Sequence, residues 1–542
     1  YVVLSLSLLS IYLDANFWMN QGQETLRRAL NRQDIRGIAK NVIFFLGDGM
    51  GITTTTAARI FRGQQAGKPG EEGSLAWDQF SHVALSKTYN TDQQIADSAG
   101  SATAFFCGIK TRSGLVGLDD SAERGNCESA KGAQVDSILV QAHRAGKSTG
   151  IVSTARVTHG TPAATYAHSP ERDWENDSDI PQKEAETGCK DIARQLIEDN
   201  NFINVILGGG RNQFLPDVAL DPEYGSENVT GLRKDGVDLV KYWLSEKGLS
   251  AKFVWNETAF KEVDILSTEY LLGLFEPGFM KFESLRATDK SGEPSLVEMT
   301  QTAIRLLSKD NDGYFLMVEA GRIDHGHHLG KAYLAFQDTI AFDEAVAKAV
   351  EMTSLEDTLI IVTADHGHSL SFGGVASRGN AILGYDDRDN GTDDLPYLTL
   401  TYANGPGGVK IAESYFQTGK RPNHFDSDYN ANDFLQDAVA PLKYETHSGT
   451  DVAIYAQGPW AHLFHSTHEQ NYIAHVVRYA ACYVQGVENA CTRSPEKLPF
   501  CTGHAHAIYA TSLPYTLLLI VFTWLMGGRL FTVNNQLHLP GH

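Results

Sequence analysis

Six apolar, β-branched runs constrain what this chain can fold into: residues 41–46, 148–152, 204–207, 314–318, 358–362 and 452–456. None shows the apolar-polar alternation of a strand with one wet face, so each calls for cover on both sides. Amphipathic stretches lie between them, at 135–145, 189–198, 296–308 and 332–352. Strand then helix, repeated, predicts an α/β fold with a central, mostly parallel β-sheet flanked by helices on both faces. Residues 373–446 break the alternation. They are rich in Gly, Asp, Asn and Pro, carry one clear strand at 397–402, and read as a small inserted subdomain. No fixed-period repeat is visible, which argues against a solenoid or propeller.

Ligands in such sheets bind beyond the carboxyl ends of the strands, and the acidic and histidine-rich motifs fall there. Gly47-Asp48-Gly49 follows the first run, Glu319 and the segment Asp324-His325-Gly326-His327-His328 follow the fourth, and Asp365-His366-Gly367-His368 follows the fifth. Carboxylate oxygens and imidazole nitrogens are the donors that Zn²⁺ and Mg²⁺ prefer, and such a run is costly to bury unless cations neutralise it. Asp324 and His328 stand four residues apart and share a face if the segment is helical. His447 precedes the last apolar run, although a single histidine is more often structural than ligating. Asp97-Ser98 opens a run of small residues leading into Phe105-Phe106. Either residue can cap a helix whose amino end favours an anion such as phosphate. No Gly-x-Ser-x-Gly elbow occurs, so metal coordination rather than a histidine base is the candidate activator of Ser98. Oxygen and imidazole ligands around a serine imply metal-assisted displacement at phosphorus.

At this point six segments match a family. Asn41 to Gly51, Asp97-Ser98, Thr158 to Ala163, Val318 to His328, Thr363 to His368 and Glu445 to Gly449, in that order, resemble alkaline phosphatase, close to the animal membrane-anchored enzymes, over about residues 17–491. The resemblance implies a broad-specificity phosphomonoesterase with Ser98 as nucleophile and Arg172 gripping phosphate. It implies one zinc on Asp324, His328 and His447, a second on Asp48, Asp365 and His366, and Mg²⁺ on Asp48, Thr161 and Glu319. His159, His325, His327 and His368 become supporting residues around the metals. A structural Ca²⁺ would be held by Glu223, Phe275, Glu276 and Glu293. Cys127 would pair with Cys189 and Cys482 with Cys491, leaving Cys107 and Cys501 unpaired. Residues 373–446 correspond to the crown domain of a homodimer, and residues 17–38 to the arm that embraces the partner subunit. Ala99 stands where many relatives have Gly, and Gly367 where mammalian enzymes often have Ser.

Bulk properties fit a secreted or surface protein of this kind. A formal net charge of −21 argues against nucleic-acid binding. Residues 1–16 read as the remainder of a signal peptide, and Asn176, Asn228, Asn256 and Asn390 open glycosylation sequons. Residues 513–526 are strongly apolar but shorter than the ~20 residues of a membrane span. With the polar spacer and small residues before them, residues 501–542 read as a signal for a GPI anchor, a short span or a buried helix being the alternatives. The catalytic domain would then cover 39–500. A glycosylated surface receptor keeping only the fold is the competing reading, and intact ligand positions count against it.

Overall fold

The computed structural model describes residues 15–483. Fifteen strands run in chain order: β1 Asn41–Gly47, β2 His82–Lys87, β3 Ser148–Arg156, β4 Val205–Gly209, β5 Ala251–Val254, β6 Tyr270–Leu274, β7 Tyr314–Ala320, β8 Thr358–Thr363, β9 Gly367–His368, β10 Leu370–Phe372, β11 Leu400–Gly405, β12 Ala438–Pro441, β13 His447–Ser448, β14 Val452–Gln457 and β15 Thr467–Glu469. Ten of them form one sheet in the order β15-β2-β14-β8-β1-β7-β3-β4-β6-β5. The seven strands from β8 to β5 are mutually parallel, and β14 is antiparallel to both β8 and β2.

The six apolar runs all became strands of this sheet, and two-sided burial explains their composition. Along β1, Val42, Phe44 and Leu46 enter one apolar core, where Phe44 packs on Phe105 and Phe106 of the helix Ser98–Cys107. Ile43 and Phe45 enter the core on the other face, where Phe45 meets Phe342 of the long helix Ala332–Met352. Every residue of β7 and β8 is buried. That helix spans the predicted 332–352, and the helix Leu296–Leu307 is opened by a capping box between Ser295 and Glu298. The stretch 189–198 is shorter as an α-helix than its pattern suggests: Ile192–Arg194 passes into a π-helical turn, Gln195–Asp199.

The insertion holds more structure than its composition suggests. Strand β11 pairs with β10 and β12 in a separate small sheet, and a helix, Pro406–Thr418, follows it with Pro406 at its start and left-handed Gly419 at its end. The strand lies at 400–405, three residues later than the predicted 397–402. The amino-terminal helix Ala15–Leu30 buries none of its residues and exposes Trp18, Met19, Leu26 and Leu30. Cys127 is bonded to Cys189, and Cys107 is a buried free thiol. Cys482 is disulfide-bonded; Cys491 and Cys501, with the signal and anchor segments 1–14 and 484–542, lie outside the described residues. Among the described residues, no helix is long and apolar enough to cross a membrane.

Candidate active site

The carboxyl ends of β1, β7 and β8, adjacent in the sheet, deliver the acids first. Asp48 follows β1, Glu319 is the penultimate residue of β7, and Asp365 follows β8, each fully buried. The turn after β1 depends on Gly49, whose φ is +68° and where a Cβ would lie 2.4 Å from His368 Nε2. Its amide donates to Asp365 Oδ1 at 2.9 Å and so ties the two strand ends together. After β7 the helix Arg322–His328 does place Asp324 and His328 on one face, with Asp324 Oδ2 3.3 Å from His328 Nε2. His447, on β13, arrives from far along the chain: its Nε2 lies 3.1 Å from His328 Nε2 and 3.3 Å from Asp324 Oδ1. Three donors thus converge on one point. A second set lies beside it, with His366 Nε2 3.0 Å from Asp365 Oδ2 and 3.8 Å from Asp48 Oδ1. The His366 and His447 rings stack at 3.5 Å between centroids, joining the two sets.

Ser98 is the first residue of its helix, and its Oγ lies 3.3 Å from His366 Nε2. Asp97 caps that helix, accepting from the amides of Ala99 and Gly100 and from Asn90 Nδ2. Arg172 reaches the same place from a loop: Nη1 donates to Asp97 Oδ2 at 3.0 Å, and Nη2 lies 3.1 Å from His159 Nε2. Gly160 permits this packing, since a Cβ there would crowd Ala99 and the Arg172 guanidinium at 3.2 Å. On the far side of Asp48, ligand atoms of Asp48, His159 and Glu319 lie within 4.8 Å of one another. Ser153, on β3, donates to Glu319.

Charge and hydrogen bonding test whether these residues suit cations. Burial, then the neighbouring Asp365, Asp324 and Glu319, pushes Asp48 well above the usual carboxylate range. Burial likewise lifts Glu319 to about 8. Asp365 and Asp324 stay low because, against the effect of burial, His366 holds the first and His328, His368 and His447 the second. Both oxygens of Asp48, Glu319 Oε1, Thr161 Oγ1 and His366 Nδ1 are buried without a hydrogen-bond partner. Such atoms are rare in a folded interior, and acids crowded in this way need positive charge. The donor set therefore fits metal ions.

The remaining histidines divide by contact. His368 lies between two carboxylates, Nδ1 at 2.5 Å from Glu445 and Nε2 at 2.8 Å from Asp324; burial alone would lower its pKa, but these acids lift it to about 10. His327 is removed from the reacting region, bridging Thr54 Oγ1 at 2.9 Å and Tyr402 OH of β11 at 2.7 Å. His325 accepts from Arg322, packs against Phe279, and is held neutral by burial, its pKa falling to about 3. Burial and Arg172 push His159 well down too.

Two expectations need correction. Glu223 and Glu276 do come together, but the third acid beside them is Asp289, not Glu293. Glu293 is buried nearby, where one carboxylate oxygen accepts the Lys281 amide at 2.8 Å. Phe275 is buried with its ring against Phe260, so only its carbonyl can serve a cation. Asn176 is fully buried and its Nδ2 donates to Asp179 and Gln213, which leaves no access for a glycan. Asn228 and Asn390 are exposed, and Asn256, half-buried, caps a short helix. Glu445 opens the segment Glu445 to Gly449, yet nothing in it marks the glutamate as functional, and Asp289, directly after a short 3₁₀ helix, carries no signal of its own in the sequence.

Known proteins share this pattern. The family model described as alkaline phosphatase matches residues 39–483. The human tissue-nonspecific alkaline phosphatase isozyme is 48% identical over 473 residues, covering 86% of this chain and 89% of its own. The alkaline phosphatase of the cod Gadus morhua is 47% identical over 477 residues, covering 87% and 98%. The solved alkaline phosphatase of Thermus thermophilus superposes with a TM-score of 0.59 at 22% identity, over 84% of this chain and 94% of that one, a likeness of fold alone.

Proposed function

Because the chain belongs to the alkaline phosphatase family and is a metal-dependent phosphomonoester hydrolase, we propose that Ser98 is its nucleophile and that the converging acids and histidines are its metal ligands. In this reading Asp324, His328 and His447 hold one zinc, Asp48, Asp365 and His366 a second, and Asp48, Thr161 and Glu319 a magnesium. The chemistry such ions supply is ionisation of the attacking oxygen and neutralisation of the leaving one.

The protein's own groups do the rest. Ser98 Oγ forms a bond to phosphorus as the ester oxygen departs with the alcohol, giving a phosphoseryl enzyme. Water then attacks from the vacated side, releasing inorganic phosphate and restoring the serine. Arg172, splayed between Asp97 and His159, keeps its planar fork aimed at two non-bridging phosphate oxygens. The amino end of the helix Ser98–Cys107 adds its dipole to the same anion. All these contacts are to phosphate, which is why leaving groups of many kinds would be accepted.

The observation that carries this reading is Ser98 Oγ at 3.3 Å from His366, itself within 4 Å of both Asp365 and Asp48. The test is hydrolysis of a chromogenic phosphate ester at alkaline pH by the zinc- and magnesium-loaded protein and by Ser98→Ala. Loss of turnover on a scale of about three orders of magnitude is expected for the variant, and unchanged turnover overturns the assignment.

The same proposal extends to the surroundings. Glu223, Glu276, Asp289 and the Phe275 carbonyl would hold a structural calcium. Residues 17–38 and 373–446, whose exposed apolar side chains include Trp18, Phe416 and Tyr444, would form a homodimer interface as arm and crown of a catalytic domain at 39–500. Placement on the outer face of the plasma membrane through a GPI anchor rests on the sequence of residues 501–542. Release by a phosphatidylinositol-specific phospholipase tests it.

A further inference from the structure

Glu445 lies two residues before His447, touches no reacting atom, and is 1% exposed. Its groups are nonetheless directed at the ligands of one metal. The backbone carbonyl accepts from His328 Nδ1 at 2.6 Å, and the backbone amide donates to the His328 carbonyl at 2.9 Å. One carboxylate oxygen accepts from His368 Nδ1 at 2.5 Å, and His368 Nε2 in turn lies 2.8 Å from Asp324 Oδ1. The other oxygen accepts from the Ser369 amide at 2.7 Å and the Ser369 hydroxyl at 2.6 Å.

We propose that Glu445 is a positioning residue for the metal held by Asp324, His328 and His447, a role that rests on that ligand assignment. Two effects combine. With His328 Nδ1 donating to the Glu445 carbonyl, Nε2 is the nitrogen left with a lone pair, and it is the one that faces Asp324 and His447. Through His368, the carboxylate also anchors Asp324 Oδ1 and so orients Oδ2 towards His328.

The experiment is competition for zinc between a calibrated chelator and the purified holoenzyme, for wild type, Glu445→Gln, His368→Ala and the double variant. Glu445→Gln should hold one zinc about 10- to 100-fold more weakly, with kcat at saturating zinc falling much less. In the His368→Ala background the same substitution should change affinity by less than about 3-fold. Ser369→Ala, which removes one contact to the same carboxylate, should leave zinc affinity unchanged. Wild-type affinity in Glu445→Gln, or an undiminished effect without His368, overturns the proposal. If Glu445→Gln does not fold, Glu445→Asp replaces it under the same criteria. Zinc affinity and turnover separate the two readings, since inert wild-type protein or a fully active Ser98→Ala would sink the catalytic assignment whatever Glu445 does.

Discussion

At the carboxyl edge of the sheet, Asp48, Asp324, Asp365 and Glu319 meet among imidazoles, and several of their oxygens have no donor. Beside the end of β6, Glu223, Glu276 and Asp289 meet around an ammonium: Lys281 Nζ lies 2.8 Å from Glu276 and 3.9 Å from Asp289, and the Tyr224 hydroxyl lies 3.2 Å from an oxygen of each of these two acids. The first cluster depends on ions from solution for its charge balance. The second carries part of its own cation, and burial lifts Glu276 only to about 7, with Lys281 opposing the rise. Two acidic clusters of similar composition thus differ in how strongly they require metal.

The sharpest break between them should come from metal removal. Stripping zinc with a strong chelator is expected to lower turnover by about 10³-fold or more, restored by zinc, whereas a calcium-selective chelator should leave turnover nearly intact and shift only the melting temperature. Equal loss of activity with both would show that the clusters are functionally one. Next in size is Arg172→Ala, which on the proposed assignment removes a phosphate-binding fork but no metal ligand; inhibition by inorganic phosphate should weaken by roughly 10- to 100-fold, with zinc content unchanged. Arg172→Lys should recover only part, because the paired contacts to Asp97 and His159 need a planar group.

A smaller effect probes the second cluster directly. Lys281→Met should cost about 1–2 kcal/mol in calcium-free buffer, a value reduced because the lysine is partly exposed, and added calcium should restore much of it. Thermal melts with and without calcium measure both; a loss that calcium cannot restore would contradict the difference drawn here. A last effect is graded with pH and concerns a buried acid in neither cluster. Burial pushes Asp338, on the helix Ala332–Met352, up to about 7 against the opposing pull of Arg322. A raised folded pKa means the native state holds the proton while the unfolded state releases it, so stability falls as pH rises from about 4 to 7. Asp338→Asn should remove up to about 1.4 kcal/mol per pH unit of that slope, read from denaturant melts across the window.

The central strands were legible because burial on both faces demands unbroken apolar runs, as in Ile43 to Leu46 and Leu359 to Val362. Strand β2 escaped notice since it alternates: Ala84 and Ser86 are buried while His82, Val83, Leu85 and Lys87 are not. The short strands β5 and β15 sit at the two sheet edges, where burial presses least on composition. For the site, Asp324, His328, Asp365 and His366 announce themselves by local density. His447, Thr161 and Arg172 do not, because what joins them to the others is tertiary geometry: His447 is marked only by its place before a strand, and Thr161 and Arg172 only by the family resemblance. Asp289 and Glu293 are both acids, four residues apart, with buried side chains, and nothing local distinguishes which of them joins Glu223 and Glu276.

The position of β1 has a consequence for the nascent chain. This strand comes early in synthesis, yet both of its hydrogen-bonding neighbours, β7 and β8, come from the second half of the sequence. At ~5–20 residues per second, β1 leaves the ribosome on the order of tens of seconds before anything can pair with it. Throughout that interval the apolar run Val42 to Leu46 has no partner strand, and Asp48, which follows it, lacks the companions needed to capture an ion. Pairing of β1 therefore waits until β7 and β8 have been made, and the cluster at its carboxyl end stays incomplete until His447 follows them.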